Sequence, residues 1–175
     1  MLAAANLSFR PLRLDDLPMI RAWMNVPHAV RWWGREDVSE YEDYIAGRTP
    51  IFPYVVSYGS TPIGLVEWVR FGDHPDFMRT YGVTDPFATN MDVLIGDPAF
   101  VHRGLGGPMI RRFLTEIVFA DPRISTCLID PEPENRIAIR AYEKVGFRWV
   151  RDLADDGEGH PVYLMELTRA ELLGG

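Results

Sequence analysis

A glycine-rich turn between a predicted strand and a predicted helix restricts the fold of this chain more than any other feature. Met91–Ile95 is apolar enough for a buried strand, and Met109–Phe119 has the apolar spacing of an amphipathic helix. Four glycines lie between them, Gly96 and then, next to the helix, Gly104, Gly106 and Gly107, with no Lys-Ser/Thr pair after them, which excludes a Walker A loop. Glycine lets several backbone N–H groups turn toward one point, and a helix N-terminus adds partial positive charge. The turn therefore predicts a cradle for a phosphate or pyrophosphate, although a flexible turn feeding a helix explains the same residues.

The second half of the chain continues with the pattern of a βαβα unit. Ser125–Ile129 predicts a buried strand, and Glu134–Val145 carries apolar residues at the spacing of one helix face. Gly146 ends this helix as a C-cap. Two final strands are predicted at Phe147–Leu153 and Pro161–Leu167, on either side of a polar turn. A strand, a helix and a second strand in this order predict one parallel strand pair.

The first half predicts hairpin strands and short helices. The run Gly59-Ser60-Thr61-Pro62 separates two β-rich segments as a hairpin turn does, and Pro27 ends the first helix because it cannot donate a backbone hydrogen bond. We predict strands at Leu7–Leu12, Phe52–Tyr58 and Ile63–Phe71, and helices over Leu17–Met24 and the acidic segment Asp37–Ala46. Gly72–Thr89 is predicted to be a long loop with room for a short helix around Phe77. The sum is one α+β domain over residues 1–175, with a mixed, mostly antiparallel twisted sheet of about seven strands and about four helices.

Composition and charge exclude several classes of protein. Hydrophobic residues make up 47% and charged residues 25% of the 175 positions, which is typical of a globular domain and excludes disorder. A net charge of −7 disfavours nucleic acid as a partner and favours cations, although mild acidity also serves solubility. The single cysteine, Cys127, excludes a disulfide framework, and the four histidines lack the spacing of metal ligands. No signal peptide or membrane span is evident, so we expect a cytoplasmic protein with no metal and no membrane partner.

Five polar residues fall at positions where a chemical and a structural role compete. Asp92 and Glu67 each interrupt an apolar strand, where a carboxylate either faces solvent or steers a cation. Tyr142 lies on the apolar face of its helix, as a core residue or as a phenol able to donate a proton to a thiolate. Asn135 is placed as a helix N-cap. Asp130 ends a strand, either in an Asp-Pro turn or facing a site.

Two further groups of residues have more than one interpretation. Trp32 and Trp33 suit either the core or the wall of a ligand site that stacks on a cation. The acidic segment Asp37–Asp43 suits a solvated helix face or the attraction of a polycation. Arg103, beside the glycine turn, adds a positive charge for a bound anion.

Taken together, these segments resemble the GNAT superfamily of N-acetyltransferases. The acetyl-CoA motif of that superfamily is Gln/Arg-x-x-Gly-x-Gly/Ala; Gly104 and Gly106 match its glycines, and Val101 stands at the Gln/Arg position. The pattern Asn-x-x-Ala-x-x-x-Tyr-x-x-x-Gly-Phe is complete from Asn135 to Phe147. The resemblance implies a fold in which the cosubstrate acetyl-CoA lies in a splay between central strands. It implies cofactor-binding residues at Val93, Leu94, Ile95, Arg103, Gly104, Leu105, Gly106, Gly107, Asn135 and Ala138.

A closer resemblance, to the aminoglycoside 6′-N-acetyltransferases, covers nearly the whole chain. Its motifs here include Trp32-Trp33-Gly34, Pro62-Ile63-Gly64, Thr84-Asp85-Pro86, Asp130-Pro131 and Ala138-Ile139-Arg140. This resemblance implies that Asp92 is the base and Tyr142 the acid. It implies that Trp33, Glu67 and Asp130 bind substrate, with Glu67 in place of a family glutamine. The loop from Gly72 to Arg79, which shapes the acceptor pocket, departs from the Trp-rich acidic stretch of the family.

The implied reaction is direct transfer of an acetyl group from the thioester to a primary amine in a ternary complex. Binding both substrates together makes the attack effectively intramolecular, and strand amides near Val93–Ile95 act as oxyanion-hole donors. An ordinary aspartate, with a pKa of about 3.9, is a weak base for an ammonium with a pKa of about 8 or 9. We therefore expect Asp92 to act through water or to orient an amine that arrives neutral.

Other functions stay open on the sequence alone. The acyltransferases of siderophore synthesis that act on hydroxylysine share the Trp-Met-Asn-x-Pro-His character of Trp23–His28, and a polyamine is a further acceptor. A third alternative is a sensor domain that binds acetyl-CoA without catalysis, although Asp92 and Tyr142 at both chemical positions argue against it. We expect a small-molecule amine as partner and a monomer or homodimer.

Overall fold

The computed structural model describes residues 4–33, 38–157 and 159–174. Most of the strands and helices follow one another in the order that the periodicity predicts. The strands are β1 (Leu7–Pro11), β2 (Ile51–Tyr58), β3 (Thr61–Arg70), β4 (Thr89–Ile95), β5 (Thr126–Ile129), β6 (Arg148–Leu153) and β7 (Val162–Thr168). The α-helices are α1 (Leu17–Met24), α2 (Pro27–Trp33), α3 (Glu40–Ile45), α4 (Pro75–Tyr81), α5 (Gly106–Phe113), α6 (Arg136–Val145) and α7 (Arg169–Leu173).

The strands of the described residues form a seven-stranded sheet in the order β1-β2-β3-β4-β5-β7-β6. β1 pairs with β2, β5 with β7 and β6 with β7 in antiparallel register. β4 and β5 run parallel, with Thr89 paired to Cys127 and Asn90 to Leu128. This mixed sheet with helices between its strands confirms the predicted α+β class.

The described residues group into two compact units. The first contains the chain up to Trp68 together with Asp92–Met109, and the second contains Val69–Met91 together with the chain from Ile110. β4 therefore contributes its first three residues to the second unit and its last four to the first. A single domain over residues 1–175 stays a prediction.

The core of the first unit forms around α1. This helix buries Ile20, Trp23 and Met24, which share a face because residues three and four apart in a helix point the same way. They pack in one cluster with Leu65 of β3 and Leu94 of β4. The cluster fixes the last half of β4 against the helical layer.

The core of the second unit forms around α4 and is rich in aromatic rings. Phe71 and Tyr81 are buried in one cluster with Leu128 of β5 and Leu164 of β7. Phe77 stacks on Phe71 with the ring centroids 4.8 Å apart. Aromatic rings bury large apolar areas, so α4 is firmly attached although the sequence pattern around it is irregular.

Three helices lie where the sequence pattern does not predict a full helix. α1 ends at Met24, as predicted, but Pro27 is also the first residue of α2, because its fixed φ suits the first helical position. The predicted loop Gly72–Thr89 contains α4, which ends at a left-handed Gly82 with φ 57°. α7 begins at a capping box formed by Thr168 and is absent from the sequence prediction. These additions bring the α-helices of the described residues to seven, against about four expected.

Two predicted helices have different bounds in the structure. α5 begins at Gly106 instead of Met109, and after Phe113 it continues as a π-helical turn, Leu114–Val118. α3 is shorter than the predicted helix Asp37–Ala46, whose first residue lies outside the described residues. α6 ends as predicted, at Gly146 with φ 120°.

Candidate active site

The last half of β4 carries the first group of predicted site residues. Asp92 is exposed and Leu94 is 4% exposed, while Val93 and Ile95 are half-buried. The carboxylate that interrupts this apolar strand therefore faces solvent, whereas the leucine two residues further along packs in the core. Asp92 thus avoids the high cost of burying a carboxylate and is accessible to a cation.

A close main-chain approach between β3 and β4 holds this segment in place. A Cβ built on Gly64 would lie 2.2 Å from the carbonyl oxygen of Leu94. Just beyond, the N–H groups of Gly96 and Asp97 both donate to the carbonyl oxygen of Ile63, at 2.9 and 3.1 Å. Only a residue without a side chain permits this approach, so Gly64 sets the position of the end of β4.

His28 of α2 also contacts the end of β4, a contact that sequence reasoning missed. Its Nε2 lies 2.8 Å from the carbonyl oxygen of Ile95. A carbonyl oxygen only accepts, so Nε2 carries the proton and donates it. The next residue, Gly96, lies against Trp23, since a Cβ there would be 2.2 Å from the indole ring. The resemblance of Trp23–His28 to the siderophore acyltransferases drew attention to this segment but predicted no contact for His28.

The predicted glycine turn follows β4 through a short 3-10 segment. Asp97 caps that segment by accepting from the N–H of Ala99 at 2.9 Å. His102 and Gly104 both adopt left-handed φ values, 60° and 77°, which cost little for glycine and more for histidine. Arg103 between them is exposed, and its Nε donates to the carbonyl oxygen of Ala99 at 3.2 Å. The chain is thereby reversed and directed into α5.

The first turn of α5 has the donors that an anion requires. Met109 donates the first helical bond, to the carbonyl oxygen of Leu105 at 2.9 Å, and Leu105 is buried and anchors the turn. The N–H groups of Gly106 and Gly107 precede that bond, and N–H groups in the first turn of a helix have no partner within the helix. Pro108 lies third in the helix and has no N–H to offer. Two glycine N–H groups and the helix dipole thus lie at the position where the sequence predicts a cradle for a phosphate, and that cradle stays a prediction.

Two predicted substrate-binding residues of the first unit are half-buried and contact other residues of that unit. Glu67 is half-buried and accepts a hydrogen bond from the hydroxyl of Tyr41. Trp33 is half-buried and packs against the cluster around α1, as the core interpretation expects. Each still exposes part of its side chain, so a role at the surface of a site remains compatible with its position.

Acidic side chains of α3 accept hydrogen bonds from residues close to them in the sequence. The hydroxyl of Tyr44 donates to Glu40 at 2.8 Å, and Arg48 Nε donates to Asp43 at 2.6 Å. Glu42 is exposed, and Asp37 lies outside the described residues. Surface pairs of this kind contribute little to stability, so this face matches the interpretation as a solvated helix face.

The second unit contains a hydrogen-bonded cluster centred on Asp130. The hydroxyl of Tyr81 donates to the Asp130 carboxylate, and the side chain of Asn90 donates to it as well. Burial raises the pKa of Asp130 in spite of these two donors, and the negative charge of Asp156 raises it further. Asn90 itself is 3% exposed, and within the described part of the chain its Oδ1 has no hydrogen-bond partner. Sequence reasoning had singled out Asp130 but neither of its donors.

α6 carries the residues of the second family pattern. Asn135 is its N-cap, with Oδ1 accepting from the N–H of Ala138 at 3.2 Å, which confirms the capping interpretation. Tyr142 is 9% exposed and lies on the buried face with Ile139, and its ring centroid is 6.1 Å from that of Phe147. The side chain thus has both a packing role and a narrow exposed edge.

The predicted site residues are divided between the two units. The first unit contains Trp33, Glu67, Asp92, Val93, Leu94, Ile95, Arg103, Gly104, Leu105, Gly106 and Gly107, and the second contains Asp130, Asn135, Ala138 and Tyr142. Among the described residues, no group of three or more His, Cys, Asp or Glu side chains is arranged to hold a metal ion. None of the helices in residues 4–33, 38–157 and 159–174 is both long and apolar enough to cross a membrane.

Comparison with known proteins defines the class. A family profile described as the acetyltransferase (GNAT) domain matches residues 13–154. The chain therefore belongs to the GNAT family and is an N-acetyltransferase by descent, which confirms the resemblance inferred from the glycine turn and the pattern around Tyr142.

Individual proteins of known activity are similar to this chain over most of its length. The chain is 30% identical over 174 residues to the aminoglycoside N(6′)-acetyltransferase type 1 of Klebsiella pneumoniae, covering 94% of this chain and 85% of that protein. It is similar to the crystal structure of the aminoglycoside acetyltransferase AAC(6')-Ib in complex with coenzyme A and kanamycin, with a TM-score of 0.83 and 28% identity over 94% of this chain and 96% of that one. It is also 24% identical over 163 residues to the lysine N-acyltransferase MbtK of Mycobacterium tuberculosis, covering 90% of this chain and 76% of that protein.

Proposed function

We propose that this protein transfers an acetyl group from acetyl-CoA to a primary amine of a cationic small molecule, and that its acceptor is the 6′-amine of an aminoglycoside. The observation that carries the acceptor class is the 30% identity to the Klebsiella aminoglycoside enzyme over 94% of this chain. The complex of AAC(6')-Ib with coenzyme A and kanamycin supports the same pair of ligands.

The start of α5 fits the donor. The Gly106 and Gly107 N–H groups and the exposed Arg103 supply positive charge and hydrogen-bond donors for a pyrophosphate. A Cβ built on Gly106 would meet nothing within 4 Å, so the surface in front of the helix is open. We assign the remaining contacts to the main chain of Gly104 and Leu105, to the Val93, Leu94 and Ile95 amides, and to Asn135 and Ala138. Acetyl-CoA supplies the activated acetyl thioester when it is bound.

Asp92 orients the amine in this proposal. Its exposed carboxylate attracts an ammonium group to the strand whose amides are assigned to the thioester. An ordinary aspartate is a weak base for an ammonium group, so in this proposal the ammonium proton leaves through water and Asp92 holds the neutral amine in line for attack.

Tyr142 is the proton donor for the leaving group in this proposal. Its hydroxyl is assigned to protonate the thiolate that departs when the amide bond forms, because a phenol with a pKa near 10 can give a proton to a thiolate. The proton that the attacking nitrogen loses on forming the amide returns through water to the phenolate. Its ring is fixed by packing on α6 and against Phe147. Trp33, Glu67 and Asp130 are assigned to the acceptor, because carboxylates attract the ammonium groups that an aminoglycoside carries.

A second candidate is acyl transfer to a lysine-type amine. The similarity to MbtK favours it, and so does the Trp23–His28 segment, which brings His28 onto the carbonyl of Ile95. We further propose that the protein acts in the cytoplasm as a monomer or homodimer, with no nucleic-acid or membrane partner.

A thiol-release assay with acetyl-CoA tests the acceptor class. The acceptors are kanamycin, hydroxylysine, spermidine and a peptide with a free N-terminus. The proposal expects the highest kcat/KM for kanamycin, whereas a maximum for hydroxylysine supports the second candidate. Tight binding of coenzyme A without release for any acceptor contradicts both and favours a sensor.

The role of Asp92 is tested in the same assay with Asp92→Asn. We expect kcat/KM for the acceptor to fall by about two orders of magnitude, which is typical of the loss of a proton-transfer or orienting group. Asp43→Asn is the matched control, because Asp43 is an exposed carboxylate of the same unit that pairs locally with Arg48. An unchanged rate in Asp92→Asn removes the assigned role.

A further inference from the structure

Asn90 has a polar atom that the fold leaves unused. The residue is 3% exposed, and among the described residues its Oδ1 accepts no hydrogen bond. Burying a carbonyl oxygen without a donor is unfavourable, and native proteins rarely tolerate it without a reason. The strand pairing of Asn90 with Leu128 uses backbone groups, so an apolar side chain would serve the sheet at least as well.

The other end of the same amide fixes where Oδ1 lies. The side chain of Asn90 donates to the carboxylate of Asp130, and Tyr81 donates to that carboxylate from α4. Tyr81 is held in turn, because Arg151 donates to its backbone carbonyl. Since the nitrogen and the oxygen of an amide lie on one carbon, a donor that reaches Oδ1 also lies next to Asp130.

The acidic residues around Asn90 favour a positively charged ligand. Asp130 is an acid in contact with Asn90, and the negative charge of Asp156 acts on Asp130. A negative environment favours a donor that carries positive charge, and Oδ1 requires a polar hydrogen. An ammonium group satisfies both conditions, whereas a carboxylate or phosphate satisfies neither.

We propose that Asn90 is a specificity-determining residue whose Oδ1 accepts a hydrogen bond from an ammonium group of the acceptor, beside Asp130. The inference rests on the proposed function, which supplies a polycationic acceptor and assigns Asp130 to it, and goes beyond it by naming Asn90, a residue to which the family resemblance gives no role. The ammonium group bound here is one other than the amine that is acetylated.

The test compares Asn90→Leu with Thr89→Val. Thr89 is the neighbouring buried polar residue of β4, but its hydroxyl has a partner, the carbonyl oxygen of Thr126 at 3.3 Å. In the thiol-release assay with kanamycin, Asn90→Leu is expected to raise the KM for kanamycin about tenfold or more, with the KM for acetyl-CoA unchanged. Thr89→Val is expected to leave both KM values unchanged. If Asn90→Leu does not fold, Asn90→Thr, which suits a strand and lacks the Oδ1 atom, replaces it.

The readouts separate this inference from the proposed function. Calorimetric titration of the protein with kanamycin alone measures binding without turnover, so it reports on Asn90 even if no acetyl transfer occurs. At least tenfold weaker binding by Asn90→Leu supports the subsite. Equal binding by the variant and the wild type overturns it, as does no binding of kanamycin by the wild type. A raised KM for acetyl-CoA in place of kanamycin also overturns it, because Oδ1 would then serve the donor.

Discussion

Gly64→Ala tests whether the end of β4 depends on a backbone approach that only glycine allows. The added Cβ would lie 2.2 Å from the carbonyl oxygen of Leu94, while real Cβ contacts essentially never fall below 3.0 Å. The strands must therefore separate locally by about 0.8 Å, the difference between these two distances. The obstacle is backbone rather than a flexible side chain, so the separation has to be accommodated by β4 itself.

The cost follows from what that shift disturbs. The hydrogen bonds from Gly96 and Asp97 to Ile63, at 2.9 and 3.1 Å, would lengthen. Overpacking of this kind costs about 1–3 kcal/mol, which in a chain of this length lowers the melting temperature by about 2–12 °C. The shift also displaces the Val93–Ile95 amides assigned to the thioester, and a misplacement of about 1 Å can cost on the order of a hundredfold in rate.

The assay combines thermal unfolding with thiol release. We expect Gly64→Ala to melt earlier and to lose at least tenfold in kcat with the best acceptor. Gly59→Ala is the matched control in the same hairpin, where an added Cβ meets nothing within 4 Å and only the φ of 61° is unfavourable. It should lose stability of about 1 kcal/mol and keep its kcat. A Gly64→Ala protein that melts and turns over like the wild type would refute the reasoning.

Three further predictions concern the second unit. Burial raises the pKa of Asp130, so the folded state binds the proton of this carboxyl group more tightly than the unfolded chain does. The free energy of unfolding therefore falls as pH rises from the usual pKa of 3.8 through the raised pKa. Urea unfolding should show that Asp130→Asn is more stable than the wild type at pH 7 and loses that advantage at pH 3. Tyr142→Phe keeps the ring that packs against Phe147, so its melting temperature should stay close to that of the wild type while kcat falls at least about tenfold; an unchanged kcat removes the acid role. Thr168→Ala breaks the capping box with Glu171 and should cost about 1 kcal/mol in the free energy of unfolding, whereas an unchanged midpoint in urea would mean that α7 contributes nothing to the fold.

Local patterns predicted much of the fold. The apolar period placed α1 and α6, and alternating or continuous apolar runs placed the strands, because burial on one face imposes a period on the sequence. Asn135 and Gly146 were predicted as the ends of α6 because capping depends on the residues at the helix ends themselves. The glycine turn was predicted for the same reason, although its last two glycines, Gly106 and Gly107, proved to be helical.

Contacts between segments far apart in the chain were beyond prediction. α4 forms in a segment rich in turn residues because Phe71 and Tyr81 bury their rings against strands from elsewhere in the second unit, and tertiary burial outweighs weak local propensity. His28 reaches the carbonyl of Ile95 across 67 positions of the chain. No local pattern encodes such a pair.

The candidate site shows the same division. The sequence motifs and the family resemblance that they carry assigned Asp92, Tyr142 and the glycines at the start of α5 to acetyl transfer, because each chemical step requires a particular group. Only the tertiary structure decided that Gly64 positions β4 and that Asp130 is held by Tyr81 and Asn90. It also decided that one buried amide oxygen is left without a donor. Chemistry depends on residue type and can be inferred from sequence, whereas burial and hydrogen-bond partners depend on which distant segments meet.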